Sequence, residues 1–224
     1  MTGQLAAWFT NVNWGDISWA SIDTLLMMSG SLTLTLLLGL PLGVLLFLTS
    51  PKQLLASPKI YGVASFAVNV LRSLPFVILL IAMIPLTVLL TGTSLGVAGS
   101  IPALVVAGTP FFARLVESAL REVDYGIVEA SLAMGANTRQ IVFGALLLEA
   151  LPGILAAATV TAIALVSYTA LSGVVGGGGL GDLAIRFGYQ RFQLDVMFIT
   201  VILLLLLVQA LQSTGNRLVV YFSR

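Results

Sequence analysis

The sequence contains no cysteine and no histidine, and charged residues make up only 8% of it. The absence of cysteine excludes disulfides, thiolate metal sites and cysteine nucleophiles. The absence of histidine removes the commonest general base and metal ligand, which excludes zinc-metalloprotease and Ser–His chemistry. A formal net charge of +1 gives no reason to expect a nucleic acid or an acidic protein as a partner.

Apolar residues are abundant instead: they form 58% of the 224-residue chain and give it a mean hydropathy of +1.08. A soluble chain would carry about a quarter charged residues. Apolar runs such as FITVILLLLLVQAL do not alternate as the strands of a transmembrane barrel do. They lie in stretches long enough for transmembrane helices, each of which needs about 20 apolar residues. The composition therefore predicts an all-α, polytopic membrane protein.

Five membrane spans are predicted, which form a single transmembrane domain over residues 1–224. Their approximate bounds are 24–50, 73–90, 97–115, 151–175 and 196–213. The stretch before the first span lacks the basic segment of a cleaved signal peptide, so we expect this span to remain in the mature protein. The longest polar insertion, at 117–150, separates spans three and four.

The basic residues predict the orientation, because Lys and Arg are retained on the cytoplasmic side of a membrane. Lys52 and Lys59 lie between spans one and two, and further arginines lie at or between spans three and four and after span five. The opposite side holds only Arg186 and Arg191. We therefore expect the N-terminus outside the cell, and the C-terminus and the 117–150 insertion in the cytoplasm.

The centre of this insertion reads EASLAMGANTRQ, at residues 129–140. Good helix formers precede Gly135, and glycine can take the left-handed conformation that ends a helix. Asn137 is a suitable N-cap for a second helix, with Gln140 at the spacing of a capping box. The pattern predicts a helix, a glycine turn and a second helix, which together would offer a partner protein a short docking knob. A solvated connector between two spans is the alternative interpretation.

EASLAMG resembles the EAA loop of bacterial ABC importer permeases, in which Glu-Ala-Ala and three further residues precede a glycine. Glu129, Ala130, Ser131 and Gly135 occupy those positions, with Ser131 replacing the second alanine. The segments GLPLGVLL, VLRSLPFVILL, FFARLVESALREVDYGIVEASLAMGA and GGGGLGDLAIRFGYQRF extend the likeness to the five-span methionine importer permeases. The family loop ends in Leu-Pro, and this sequence departs from it because Leu148 replaces that proline.

The resemblance implies the type I fold of ABC importer permeases and the transport of methionine or a related amino acid. It implies a bacterial inner-membrane complex of two permease copies, two ABC ATPases and an extracytoplasmic amino-acid-binding protein. The sequence has no G-x-x-x-x-G-K-[ST] motif, so ATP and Mg would bind to the partner ATPase and no cofactor to this chain. The ATPase would dock on the 126–140 loop, whose coupling residues implied by the family pattern are Gly126, Ile127, Val128, Glu129, Ala130, Ser131, Leu132, Met134, Gly135 and Ala136.

Six residues are candidates for the pathway or its gate: Arg72, Pro75, Ser167, Gly176, Gly177 and Asp182. An arginine in an apolar stretch is a functional candidate, unless its side chain reaches the headgroups. A proline kinks a span and a glycine run permits a hinge, although a lipid-facing kink and a flexible external hairpin are alternatives.

A further group, Arg114, Glu117 and Arg121, shares one face of the helix that ends span three. We interpret it as a solvated charged stem, in which each pair contributes only about 0.2–0.5 kcal/mol. An interface with the ATPase is the alternative interpretation.

Two other functions are alternatives, an intramembrane aspartyl protease and an ion-coupled carrier. The sequence GLGD at 179–182 matches the GxGD motif of intramembrane aspartyl proteases, but no second aspartate lies within an earlier span to share a proton with it. An ion-coupled carrier would need ionisable residues near the membrane midplane and often has internal repeats, and this sequence shows neither.

Overall fold

The computed structural model describes residues 12–223, and every regular element in that range is helical. The predicted all-α class is therefore confirmed. In chain order the α-helices are α1 (Trp14–Thr49), α2 (Pro58–Ser73), α3 (Phe76–Ala82), α4 (Ile84–Thr91), α5 (Gly96–Arg121), α6 (Tyr125–Ala133), α7 (Thr138–Ile141), α8 (Leu147–Glu149), α9 (Leu151–Ser172), α10 (Gly179–Leu183) and α11 (Leu194–Phe222). Two π-helical segments, Val142–Leu146 and Ala184–Tyr189, and one 3₁₀ turn, Gly173–Val175, complete them.

Four of the described helices, α1, α5, α9 with its 3₁₀ turn, and α11, are long and apolar enough to cross a membrane. Helices α2 and α3 pass the same test as one broken span, which raises the number to five. Four of the predicted spans coincide with α1, α5, α9 with its 3₁₀ turn, and α11: 24–50, 97–115, 151–175 and 196–213. The remaining predicted span, 73–90, covers α3 and most of α4. The membrane bounds of each span stay a prediction.

Within the long helices, hydroxyl side chains donate to backbone carbonyls one turn earlier. Thr24 Oγ1 lies 3.0 Å from the Ala20 carbonyl oxygen, and Ser31 Oγ lies 2.6 Å from that of Met27. Both residues are buried, and these bonds give their hydroxyls a partner in an apolar interior.

The fold divides into two compact units, each with its own core. The first, here called the loop unit, comprises residues 34–73, 108–161 and 212–223. Its largest buried cluster joins Phe112, Val116 and Leu120 of α5 to Val128 of α6 and Ile141 of α7. The second, here called the glycine unit, comprises residues 12–33, 74–107 and 162–211.

Two glycines allow α1 and α5 to pack closely inside the loop unit. A Cβ atom at Gly39 would lie 2.8 Å from a ring carbon of Phe112, and one at Gly43 would lie 2.6 Å from Cβ of Val116. The Gly43 position would also meet the Ala113 carbonyl oxygen at 2.7 Å. The four-residue spacing is the small-xxx-small pattern that lets transmembrane helices approach each other closely.

The glycine-rich segment 176–181 is packed into the glycine unit. Gly176, Gly178 and Gly179 have positive φ angles of 82°, 77° and 78°, which L-residues rarely adopt. A Cβ at Gly177 would lie 2.6 Å from Ser100 Oγ, and Leu180 N donates to Thr24 Oγ1 at 2.9 Å. Ser100 and Thr24, the two neighbours that contact this backbone, are themselves buried, and a flexible external hairpin stays an alternative interpretation.

Candidate coupling site

Local residues fix both ends of helix α6. Asp124 caps its first turn, because the carboxylate oxygen Oδ1 accepts a hydrogen bond of 2.8 Å from Gly126 N. At the other end Gly135 has a φ of 79°, and its amide donates to the Leu132 carbonyl at 2.9 Å. The left-handed glycine predicted from the sequence is therefore present.

The short helix α7 carries the predicted capping box. Gln140 N donates to Asn137 Oδ1, and Asn137 N donates to Gln140 Oε1, each at 2.9 Å. This box, defined for Ser or Thr at the N-cap, forms here with Asn in that position. The two caps fix the direction in which the chain leaves the glycine turn, so the predicted helix–turn–helix is confirmed.

One face of α6 is anchored in the loop unit. Val128 is 2% exposed and packs in the cluster of Phe112, Val116 and Leu120 from α5. Ser131, one turn later, is also buried and donates to the Ile127 carbonyl at 2.7 Å. Val128 therefore joins α6 to the C-terminal part of α5 in one close-packed core.

The other face of α6 is exposed and mixed in character. Tyr125, Glu129 and Leu132 follow the i, i+4, i+7 spacing of one helical face, and all three are exposed. Met134, at the end of the helix, is 81% exposed, which is a large fraction for an unbranched apolar side chain. We call Tyr125, Glu129, Leu132 and Met134 the knob face. It combines apolar area with one carboxylate, as a docking surface does.

Below the knob, an ion cluster joins α5 to α2. Glu117 is only 3% exposed; its carboxylate lies 2.6 Å from Arg114 Nη1 and 2.7 Å from Arg121 Nη2. Tyr61 of α2 donates its hydroxyl to the same carboxylate at 3.3 Å. Arg114 Nη2 also donates to the Ser65 hydroxyl and to Asn69 Oδ1 of α2, the latter at 3.0 Å.

The interpretation of these three charges as a solvated stem is therefore wrong for Glu117. A carboxylate buried between two guanidinium groups is costly to disturb, because losing it leaves Arg114 unpaired in a buried place. The sequence spacing of i, i+3 and i+7 indicated the ion pairs, but their burial depends on α2, roughly fifty residues earlier. With Glu117 turned inward, its side chain is not available to an ATPase.

Leu148, which replaces the proline of the family loop, lies close to another proline. Leu148 lies in the single turn α8 and is 63% exposed. A proline does occur four residues later, since Pro152 is the second residue of α9, a position where its missing N–H costs nothing. The chain therefore has a proline at the start of the long helix that follows the loop.

The candidate pathway residues fall in both units. Arg72 is exposed in the last turn of α2, with its guanidinium carbon 5.9 Å from the centre of the Phe111 ring. Pro75 precedes α3 at the break after α2. Ser167 is exposed on α9, whereas Gly177 is buried.

Asp182 pairs with Arg186, with its Oδ2 2.8 Å from Nη2. It also lines a cavity of about 380 Å³ together with Asp16 and Asp23. Because its carboxylate is bound to a guanidinium, it lacks the proton-sharing arrangement that an aspartyl protease requires. Among residues 12–223, no group of three or more acidic side chains is placed to hold a metal ion.

Comparison with known proteins gives a consistent family. Residues 39–222 match the sequence model described as "Binding-protein-dependent transport system inner membrane component". A Vibrio cholerae protein named "Probable D-methionine transport system permease protein MetI" is 45% identical over 215 residues, which covers 96% of this chain and 95% of that protein. The Bacillus subtilis "Methionine import system permease protein MetP" is 44% identical over 209 residues, which covers 93% and 94%.

A solved structure agrees with these sequences. The one described as "Inward facing conformations of the MetNI methionine ABC transporter: CY5 native crystal form" superposes with a TM-score of 0.92 at 45% identity. The superposition covers 93% of this chain and 97% of that chain. At this identity the similarity extends beyond the fold.

Proposed function

The chain belongs to the family of binding-protein-dependent transport system inner membrane components, and on that basis we propose that it forms the path by which methionine or a close relative enters the cell. It is the permease subunit of an ABC importer, and it has the type I permease fold. Hydrolysis of ATP belongs to a separate subunit. Both relatives and the solved neighbour carry methionine in their names, which is the support for this substrate.

The assembly follows from the same comparison and from the physical demands on a pathway. Two copies of this chain would pair over two ATPases, which hold ATP and Mg, while an extracytoplasmic binding protein delivers the amino acid. Five spans are few to enclose a solute, which favours a dimer. The orientation predicted from Lys and Arg would put the knob face on the cytoplasmic side, where the ATPases would bind.

The observation that carries the coupling role is the two-sided character of α6. Its inner face, through Val128, packs against α5, and its outer face presents Glu129, Leu132 and Met134 to solvent. We infer that an ATPase cleft closes around the outer face. ATP-driven approach of the two ATPases would then displace α6, and the rigid core would pass that displacement to α5.

Gating is assigned by the same proposal to the segments where regular structure is interrupted. The break at Pro75 and the packed glycines Gly176 and Gly177 are the positions that can take up a change of backbone angle. Arg72 lies at the first of these breaks, and the Asp182 ion pair lies just after the second. Ser167 would form part of an uncharged lining of the pathway, along which methionine would pass.

The test compares charge reversal on the knob face with charge reversal elsewhere in the loop. Glu129→Lys places a cation where the ATPase should dock, and Glu149→Lys makes the same change at an exposed position outside the knob face. Both variants are purified with their ATPase, reconstituted with the binding protein and methionine, and assayed for uptake and ATP hydrolysis.

We expect Glu129→Lys to lose about tenfold or more of the methionine uptake and to release the ATPase during purification, since an unpaired charge buried in an interface costs about 3–5 kcal/mol. Glu149→Lys should keep both activities. Equal behaviour of the two variants would remove the coupling assignment, and uptake of an unrelated solute by the intact complex would remove the substrate assignment.

A further inference from the structure

An apolar groove lies in the loop unit, on the side of α1 that faces the segment after α7. One wall is formed by Leu40, Val44 and Leu48, which are spaced at i, i+4 and i+8 along α1. The facing wall comes from the π-helical segment and α8, with Phe143 and Leu147 as its main side chains. The groove has a volume of about 490 Å³ and stays open to the surroundings along its length.

The groove is not uniformly apolar, because its facing wall begins with two polar residues. Thr138 and Arg139 line the groove just before the apolar side chains of Phe143 and Leu147. Arg139 is exposed, and within residues 12–223 it forms none of the ion pairs of this protein. None of the residues that line the groove is acidic. The cation therefore has no protein counter-ion there.

The predicted span bounds and orientation put the groove at membrane depth near the cytoplasmic surface. Residues 40–48 are the last part of the predicted span 24–50, which ends on the side of Lys52 and Lys59. By the rise of an α-helix, this stretch is about 12 Å long. With the predicted orientation, Arg139 would face the phosphates of the cytoplasmic leaflet, which is negatively charged.

We propose that this groove binds an anionic phospholipid of the cytoplasmic leaflet. One acyl chain would lie between the two apolar walls, and the phosphate would accept hydrogen bonds from the Arg139 guanidinium and the Thr138 hydroxyl. The charge complementarity selects this occupant, since a purely apolar partner would leave the cation unpaired. A water-filled groove would leave its apolar walls wet. A bound lipid would touch both α1 and the segment that leads from the knob to α9.

The test measures lipid retention by native mass spectrometry on the permease purified with its ATPase. Phosphatidylglycerol and phosphatidylcholine with identical acyl chains are added at equal concentration. Leu45→Trp fills the groove, in which Leu45 is 42% exposed, and Leu89→Trp adds the same ring at an 81% exposed position in the other unit. Arg139→Gln removes the cation, and Arg217→Gln removes an exposed cation elsewhere.

The unchanged protein should retain phosphatidylglycerol about fivefold better than phosphatidylcholine, as expected for one cation beside an anionic lipid. Arg139→Gln should remove this preference while lipid is still retained, and Leu45→Trp should remove one bound lipid per permease copy. The two control variants should behave as the unchanged protein does. If Leu45→Trp prevents assembly, the smaller Leu45→Phe serves the same purpose.

Three results would overturn the proposal. Equal retention of the two lipids by the unchanged protein would exclude the headgroup contact. Unaltered retention in Leu45→Trp and Leu45→Phe would exclude the groove. Loss of the permease dimer in either of these groove variants, with no lipid bound to the unchanged protein, would mean that a second copy of the chain covers the groove instead.

Discussion

Replacing Glu117 by glutamine tests whether the buried ion cluster holds α2 against α5. The substitution keeps the size of the side chain and removes the charge that faces Arg114 and Arg121. Only 17% of the Arg114 side chain and 42% of that of Arg121 are exposed, so Arg114 carries most of the penalty. Breaking a buried pair by removing one partner costs about 3–5 kcal/mol, and solvent screening of Arg121 lowers the expected loss to about 3 kcal/mol.

The matched control is Asp182→Asn, which also converts an acid to its amide opposite an arginine at i+4. That pair is 20% and 53% exposed, so its loss should cost at most about 1 kcal/mol. At about 2–4 °C per kcal/mol, thermal unfolding of the purified complex should fall by roughly 6–12 °C for Glu117→Gln and by no more than about 4 °C for the control.

A double variant separates burial from simple loss of a contact. Removing Arg114 as well, in R114Q/E117Q, takes away the unpaired buried charge and should restore part of the lost stability. Equal, small shifts for Glu117→Gln and Asp182→Asn would refute the reasoning. So would a double variant less stable than the sum of its two single variants.

The remaining predictions concern glycines, each with a matched control. Gly43→Ala should lower the midpoint of thermal unfolding by several degrees, since overpacking against Val116 costs about 1–3 kcal/mol, whereas Gly62→Ala has nothing within 4 Å and should be neutral or stabilising. Equal midpoints would contradict the close packing of α1 on α5. Gly135→Ala should cost about 1–2 kcal/mol through its φ of 79° alone and weaken ATPase retention, whereas Gly144→Ala, equally free of neighbours, should not. Normal ATPase retention in Gly135→Ala would contradict the role of the glycine turn.

Features set by neighbouring residues could be predicted from the sequence. The left-handed Gly135 and the Asn137–Gln140 capping box depend on contacts within a few residues, so one short stretch of sequence is enough to predict them. The family resemblance carried the fold and the permease function, since EASLAMG and the longer segments match over most of the chain. The substrate and the docking of α6 rest on that same resemblance and are proposals.

Features set by distant residues could not be predicted in the same way. The burial of Glu117 requires Tyr61 and Ser65, which only the packing of α2 brings to α5. The groove has walls about a hundred residues apart in the sequence, so neither wall indicates it alone. The close approach at Gly39 and Gly43 did have a signal, because their four-residue spacing in an apolar span is typical of helix contacts.

The most direct test of the account is methionine uptake into proteoliposomes that contain this chain with and without its ATPase. With the ATPase, ATP in its compartment and the loaded binding protein outside, we expect accumulation against a gradient that stops when hydrolysis is blocked. The chain alone should accumulate nothing, even under an imposed ion gradient. Accumulation by the chain alone would contradict the claim that a separate motor, acting through α6, drives transport.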